Sequence, residues 1–205
     1  MDRNEISSSK QQRIEERRDQ IIAAARICFR LHGFHGAGMA EIASLSKLSV
    51  GQIYRYFTNK EAIIEEIVRR IVKHRIKLMW DHDNDLSLVA DELANQRLLD
   101  GEDAEINQAL MLEIAAEATR NIQVEKILCE ADAHLFHQGC EMMKQVYPHL
   151  DAGRIAALSE MMAVLSEGTA LRMLTHQQQQ HVDRSQMKAL FLLIFGTLFP
   201  PPPSA

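Results

Sequence analysis

Four side chains within five residues, Gln52, Tyr54, Arg55 and Tyr56, are of the types that read or grip nucleic acid. Gln can pair with adenine, Arg with guanine or a phosphate, and Tyr hydroxyls reach phosphate oxygens. Their setting strengthens that reading. Ser49 is a helix N-cap whose hydroxyl can accept from the amides of Gly51 or Gln52, and Ile53 and Phe57, four apart, can hold a short helix to a core. Val50, Gly51, Gln52, Tyr54, Arg55 and Tyr56 then face outward. A preceding helix is predicted over about 39–45, with Gly38 as N-cap, Glu41 answering free backbone N–H groups, and Ile42 and Ala43 pointing inward. Ser46-Lys47-Leu48 joins the two as the tight turn of a helix-turn-helix, whose second helix suits the major groove.

The elements that must position this motif are helical throughout, and no strand alternation occurs, so the fold class is all-α. A long helix is predicted over about 60–80, with Ile63, Ile64, Ile67, Val68, Ile71 and Val72 on one face, followed by helices over about 86–99, 103–119, 122–146, 151–175 and 183–199. Asp81-His82-Asp83-Asn84-Asp85 breaks the long helix and serves as the domain boundary. Residues 1–12 read as a disordered basic tail, with Arg3, Lys10 and Arg13 at hand for a groove or phosphates; a solvated tail accounts for them equally well. Residues 13–80 are expected to form the DNA-binding domain and residues 81–205 a second helical domain. The His176 to His181 segment is a low-complexity loop, and Pro200 to Pro203 stop the last helix.

Residues 13 to 77 resemble the N-terminal domain of the TetR family of bacterial transcriptional regulators. The likeness runs through Ile21-Ile22, Ala24-Ala25, Cys28-Phe29, Gly33-Phe34, Ile42-Ala43, Ser49-Val50-Gly51, Ile53 to Phe57 and Lys60-Glu61. The chain departs from the family at Ala37 and Gly38, where members carry Thr or Ser, and at Lys47, where they carry Gly. With the outward face of the second helix, the expected DNA-binding set is Ser49, Val50, Gly51, Gln52, Tyr54, Arg55, Tyr56 and Lys60, the last matching the family's phosphate-binding lysine, while Lys47, though a departure from the family, adds a cation beside the DNA. The resemblance also implies a small-molecule cavity in the C-terminal half, which makes residues 81–205 the ligand-binding and dimerisation domain; the expected function is a repressor released by its ligand, and the sequence leaves an activator open.

Charge divides with the domains. Residues 1 to 80 hold 15 Lys and Arg against 9 Asp and Glu, and residues 81 to 205 hold 8 against 19, so only the N-terminal part suits a polyanion. Met111, Met143 and Met162, with Phe136, Glu113 and Glu117, are the candidate pocket: thioethers and a ring for an apolar body, and carboxylates one turn apart for a cation. The expected effector is therefore a small hydrophobic molecule, cationic in the reading that the acidity favours. Met161, Leu165 and Gly168 on one helix, with Leu190, Leu193, Ile194 and Leu198 on the next, form apolar faces that two copies would pack as a four-helix bundle. A homodimer would set the spacing of the reading helices and call for a palindromic operator.

Other chemistries are less well supported. Glu130, His134, His137 and Glu141 make one helical stripe with metal-ligating atoms, yet the apolar Leu128, Leu135, Met142 and Val146 lie nearly opposite, so the stripe reads as a solvated face and no metal or cofactor is expected. Cys28, Cys129 and Cys140 are odd in number and widely spaced, which fits neither a disulfide framework nor a zinc finger and agrees with the cytoplasm. No nucleophile motif or phosphate loop is present, so an enzyme is not expected, and the 125 residues beyond the motif exceed what a purely architectural DNA binder needs. The opening MDRNEISSSK is unlike a signal peptide, and the apolar run from Ala189 to Phe199 is too short to span a bilayer.

Overall fold

The computed structural model describes residues 3–81, 85–95, 104–173 and 182–199, apart from the side chains of 3–9, 104–106 and 173. Among these residues run nine helices and no strand: α1 (Arg3–Gly36), α2 (Met39–Leu45), α3 (Val50–Ile53), α4 (Lys60–Asp81), α5 (Leu86–Asn95), α6 (Ala104–Ala118), α7 (Ile122–Val146), α8 (Ala152–Met173) and α9 (Arg184–Leu198). The all-α expectation holds. The predicted residues 82–84, the His176 to His181 segment and Pro200 to Pro203 lie outside the described residues. Residues 3–12, expected as a disordered tail, are instead the opening turns of α1. Nothing between Arg3 and Leu31 is Gly or Pro, so the chain has no cause to leave the helix there. None of the described helices is long and apolar enough to cross a membrane.

Helix starts are set by short polar side chains. Asn59 Oδ1 accepts from the Ala62 amide at 2.8 Å as α4 begins. The Asp183 carboxylate accepts from the Ser185 and Gln186 amides at 2.9 and 3.3 Å before α9. The Ser185 hydroxyl and these two amides hold its carboxyl below the ordinary range.

The chain forms two compact units, Met1–Arg70 with Ala109–Cys129, and Ile71–Gln108 with Glu130–Ala205. They are therefore not divided at residue 81, and α4, α6 and α7 each contribute residues to both. In the first unit Ile21, Ala25 and Phe29 of α1, Ile42 of α2, Ile53 of α3, and Ile63, Ile64 and Ile67 of α4 are buried, with Leu110 and Ile114 from α6. Hydrophobic periodicity identifies such faces but not the neighbours they meet, which is why the allegiance of 109–129 was not foreseen.

The charged seam of this unit is centred on Glu66, which is 5 % exposed. Its carboxylate takes Arg18 Nη2 at 3.1 Å, Arg69 Nη2 at 2.5 Å and Arg70 Nε at 2.7 Å, while Arg70 Nη1 reaches Asp19 at 2.5 Å. α1 and α4 are thereby clamped through one acid. Burial pushes the Glu66 carboxyl up, but the hydrogen bonds and charges of Arg69 and Arg70 outweigh it and hold it at about 2.

In the second unit Phe191, Phe195 and Phe199 of α9 and its end succeed one another at 6.2 and 5.8 Å between ring centroids, and Tyr147 joins Phe199 at 6.1 Å. Around them Ala90, Leu93 and Ala94 of α5 and Ile155 and Leu158 of α8 complete a buried cluster. Aromatic rings at this separation add packing energy beyond their buried area.

Glu66 sets a pH dependence. Its carboxyl lies below the 4.5 of an unperturbed glutamate, so its stabilisation is full above that value and is lost as pH falls toward about 2. Glu66→Gln is expected to cost about 2 kcal/mol at neutral pH, discounted because Arg69 is largely in solvent. The gap between the melting curves of the two proteins should close on acidification from pH 5 to 2; a constant gap would show that Glu66 acts by shape alone.

Candidate nucleic-acid interface

The turn between α2 and α3 is built by backbone hydrogen bonds that only one conformation allows. Leu48 N–H donates to Ala43 O at 3.0 Å and Lys47 N–H to Ser44 O at 3.2 Å, the paired bonds of a Schellman ending, and Lys47 stands at φ 53° to make them. Left-handed backbone costs a lysine about 1–2 kcal/mol, a strain that a glycine there would not carry. Ser49 then caps α3: its Oγ accepts from Gln52 N at 3.2 Å, while Gln52 Oε1 accepts from Ser49 N at 2.8 Å. Beyond Ile53 the backbone continues in tight turns, with Tyr56 N–H to Ile53 O at 2.8 Å and Phe57 N–H to Ile53 O at 3.0 Å.

Of the residues assigned to DNA, Lys47, Ser49, Gly51, Gln52, Tyr54 and Arg55 are exposed, and Val50, Tyr56 and Lys60 are partly buried. Two of them are committed to local structure. The carbonyl oxygen of Gln52 accepts from the Ser49 amide, which uses one of its two lone pairs and ties the side chain to the helix start, so pairing with adenine through both O and NH2 competes with the cap. Lys60 Nζ donates to Phe34 O at 2.7 Å and Ala37 O at 3.0 Å and lies 4.4 Å from the centroid of the Phe34 ring. It acts first as a strut, with one N–H left for a phosphate.

That strut meets a break in α1. Gly33 has φ 67°, and Phe34 N–H, turned out of the helix, donates to Glu113 Oε1 at 3.0 Å. A Cβ at position 33 would lie 2.9 Å from that oxygen, so no other residue fits without displacing the cap. Gln20 donates to Ser46 O, and Arg18 donates to Tyr56 O at 3.3 Å with its guanidinium 4.6 Å from the Phe57 centroid, which ties both sides of the motif to α1. Glu41 does not serve the start of α2: it lies 2.9 Å from His32 Nε2, and Gly38, lacking a side chain, provides no cap bond. Lys10, Arg13 and Arg17 share a cleft with Tyr56 on this unit. Arg17 was missed, although it stands seven residues from Lys10 and four from Arg13, spacings that place all three on one helical face.

The proposed pocket residues separate. Phe136, Met143 and Met162 line a cavity of about 220 Å³ in the second unit, whereas Met111, Glu113 and Glu117 belong to the first. Glu117 is fully buried, with Arg120 Nε at 2.7 Å, Asn121 Nδ2 at 3.3 Å and His35 Nε2 at 3.7 Å from its carboxylate. These acids satisfy their own neighbours rather than a ligand. The cavity's charged lining is instead Arg75 with Glu92, Asp132, Glu160 and Glu167. Arg75 had a signal in the sequence, since it stands four residues from both Ile71 and Met79 on the apolar face of α4.

The assigned dimer faces also divide. Met161, Leu190, Leu193 and Ile194 are exposed, Leu193 by 68 %, and Gly168 is open, whereas Leu165 and Leu198 pack against the unit's own core. The Glu130, His134, His137 and Glu141 stripe is exposed, and no group of metal ligands converges among the described residues.

Residues 21–67 match the family model described as bacterial regulatory proteins, tetR family. The transcriptional regulator UidR of Escherichia coli K12 is 32% identical over 111 residues, covering 54% of this chain and 56% of that protein, so the chain spans little more than half the length of this curated relative in the match. BetI of Yersinia pestis strain Pestoides F is 28% identical over 161 residues, 76% of this chain and 80% of its own. Among solved structures, Salmonella enterica GusR superposes with a TM-score of 0.70 at 21% identity, over 89% of this chain and 95% of that one. A regulator from Saccharomonospora viridis in complex with choline gives 0.64 at 19%, over 88% and 96%. These two likenesses establish the fold.

Substitution separates strut from phosphate contact. Lys47→Gly should raise stability by about 0.5–1 kcal/mol through relief of the left-handed strain. If its ammonium meets a phosphate, the slope of log affinity for DNA against log salt should fall by about one. Lys60→Met should instead cost about 2 kcal/mol of stability, because two carbonyls lose a charged donor. Paired melting and salt-titration curves distinguish these; a Lys60→Met protein of unchanged stability would remove the strut assignment.

Proposed function

We propose that this chain, which belongs to the TetR family of bacterial transcriptional regulators and is not an enzyme, acts as a homodimeric repressor. It leaves a palindromic operator when a small hydrophobic, cationic molecule occupies the cavity of the second unit. The observation that carries the reading is the capped and strained α2–α3 turn, which presents Tyr54 and Arg55 at the surface of a unit rich in basic residues. Arg55 and Tyr54 would then read and grip the groove, with Lys47, Ser49, Val50, Gly51, Gln52, Tyr56 and Lys60 around them. Lys10, Arg13 and Arg17 would add phosphate contacts. The exposed apolar residues of α8 and α9 support the dimer, since a face holding Met161, Leu190, Leu193 and Ile194 is costly to leave in water. One positive and four negative side chains around an apolar cavity favour a cation, and a protein of the same fold has been crystallised with choline. Release follows if the ligand binds better to a conformation in which α4 is tilted and the two reading helices no longer match successive major grooves.

Selection from random duplexes should yield a palindrome, and sequence-independent binding would overturn the repressor reading. Leu193→Glu should sediment as a folded monomer and lose operator affinity; a dimeric variant removes α9 from the interface. Octylammonium should raise the melting temperature more than octanol or octanoate do, in proportion to RT ln(1 + [L]/Kd), and operator DNA should weaken its binding. Equal stabilisation by all three would eliminate the cation, and indifference to operator would eliminate the coupling.

A further inference from the structure

The cavity's one guanidinium poses a problem that a simple cation does not solve. Arg75 lines the cavity, and it makes no hydrogen bond or ion pair with any described residue. Burial pulls its guanidinium below the ordinary range, and only the charge of Glu167 opposes that. Its N–H donors therefore have no protein partner among the described residues. A ligand carrying only an ammonium group leaves those donors unanswered and adds like charge to the same cavity, which weakens its binding relative to a ligand that answers them. A carboxylate would answer them with short, charge-assisted bonds to the planar fork.

The opposite polarity lies farther along α8. Ser159, 7 % exposed, has a buried hydroxyl with no partner among the described residues, and it lines the same cavity beside Glu160. Its Oγ lies 3.8 Å from where a Cβ on Gly139 would stand, so no side chain from 139 covers that oxygen. Glu160 and Glu167 are seven residues apart, two helical turns or about 10.5 Å of rise. Met162 and Ala163 line the cavity between them.

We infer that the cavity reads a zwitterionic amphiphile, with its carboxylate on Arg75 and its ammonium between the Ser159 hydroxyl and Glu160, joined by an apolar chain about two helical turns long. The inference rests on the effector reading above and adds the anionic end to it. Isothermal titration of the full-length protein with 8-aminooctanoate and with octylammonium tests it. The amino acid should bind about tenfold more tightly, a difference that a charged, two-pronged hydrogen bond can supply. Arg75→Gln should abolish that advantage while leaving octylammonium binding equal or stronger, and Arg75→Lys, which keeps the charge without the fork, should retain only part of it. Circular dichroism checks that each variant is folded, and the lysine variant decides the matter if the glutamine variant is not. Octylammonium binding as tightly as the amino acid, or an advantage that survives in Arg75→Gln, overturns the zwitterion and leaves the cationic effector standing. Absence of binding by both compounds overturns the zwitterion, while the operator-coupled panel judges the effector reading separately.

Discussion

A helix that stops inside a packed unit must have its freed backbone groups answered, and the break in α1 at Gly33 is the point on which the DNA-binding unit depends. Phe34 N–H, Phe34 O and Ala37 O are all released there. They are met by a carboxylate from α6, Glu113, and by the ammonium of Lys60 at the head of α4. Buried peptide groups without partners cost more than most side-chain contacts return, so three distant stretches of chain are drawn to one place. Glycine at 33 is then favoured twice over, for its positive φ and for the 2.9 Å that separates an added Cβ from the capping oxygen, which any other residue would have to push aside. With α1, α4 and α6 joined there, the α2–α3 motif has a rigid floor.

Electrostatics completes that floor in two different ways. In the Glu66 seam three partly exposed arginines converge on one buried acid, with Arg70 also on Asp19, and lock α1 to α4 with charged bonds of 2.5–3.1 Å. On the outer side the charges are unpaired by design of the fold: Lys47 and Arg55 stand in solvent, where a phosphate is a better partner than water. Strain is concentrated at the same spot. Lys47 occupies left-handed backbone because the Schellman ending of α2 demands it, so the chain carries an energetic cost at the turn where a cation can face DNA.

The second unit solves a different problem, that of keeping polar groups at the wall of an apolar cavity. Arg75 and Ser159 both line that cavity without a hydrogen-bond partner among the described residues, so each carries an uncompensated burial cost that a polar ligand could offset. The aromatic succession from Phe191 to Phe199 and Tyr147 makes the neighbouring core stiff, whereas Met79, Met142, Met143 and Met162 around the cavity can shift without breaking a specific geometry. Such a contrast allows one part of a unit to adapt while the remainder holds its shape.

Much of this was legible in the residues themselves. Ser49 and Gln52 spell a capping box, Ile53 and Phe57 give the buried side of the reading segment, and the helical periods place α4 to α9 within a few residues of their observed ends, because caps and apolar spacing are local properties. What escaped depended on partners distant in sequence. Glu113 and Glu117 look like pocket acids from their spacing, yet they are consumed by Phe34, Arg120, Asn121 and His35 in the first unit. Lys60 looks like a free phosphate ligand, yet two carbonyls hold it. Arg75, unremarked among apolar neighbours, becomes the charge in the cavity. By itself the sequence determined which residues form helices, where those helices begin and which chemistry the α3 surface can offer. Only the tertiary structure decided which charges are already spent, because a side chain's free donors and acceptors depend on neighbours that periodicity does not name.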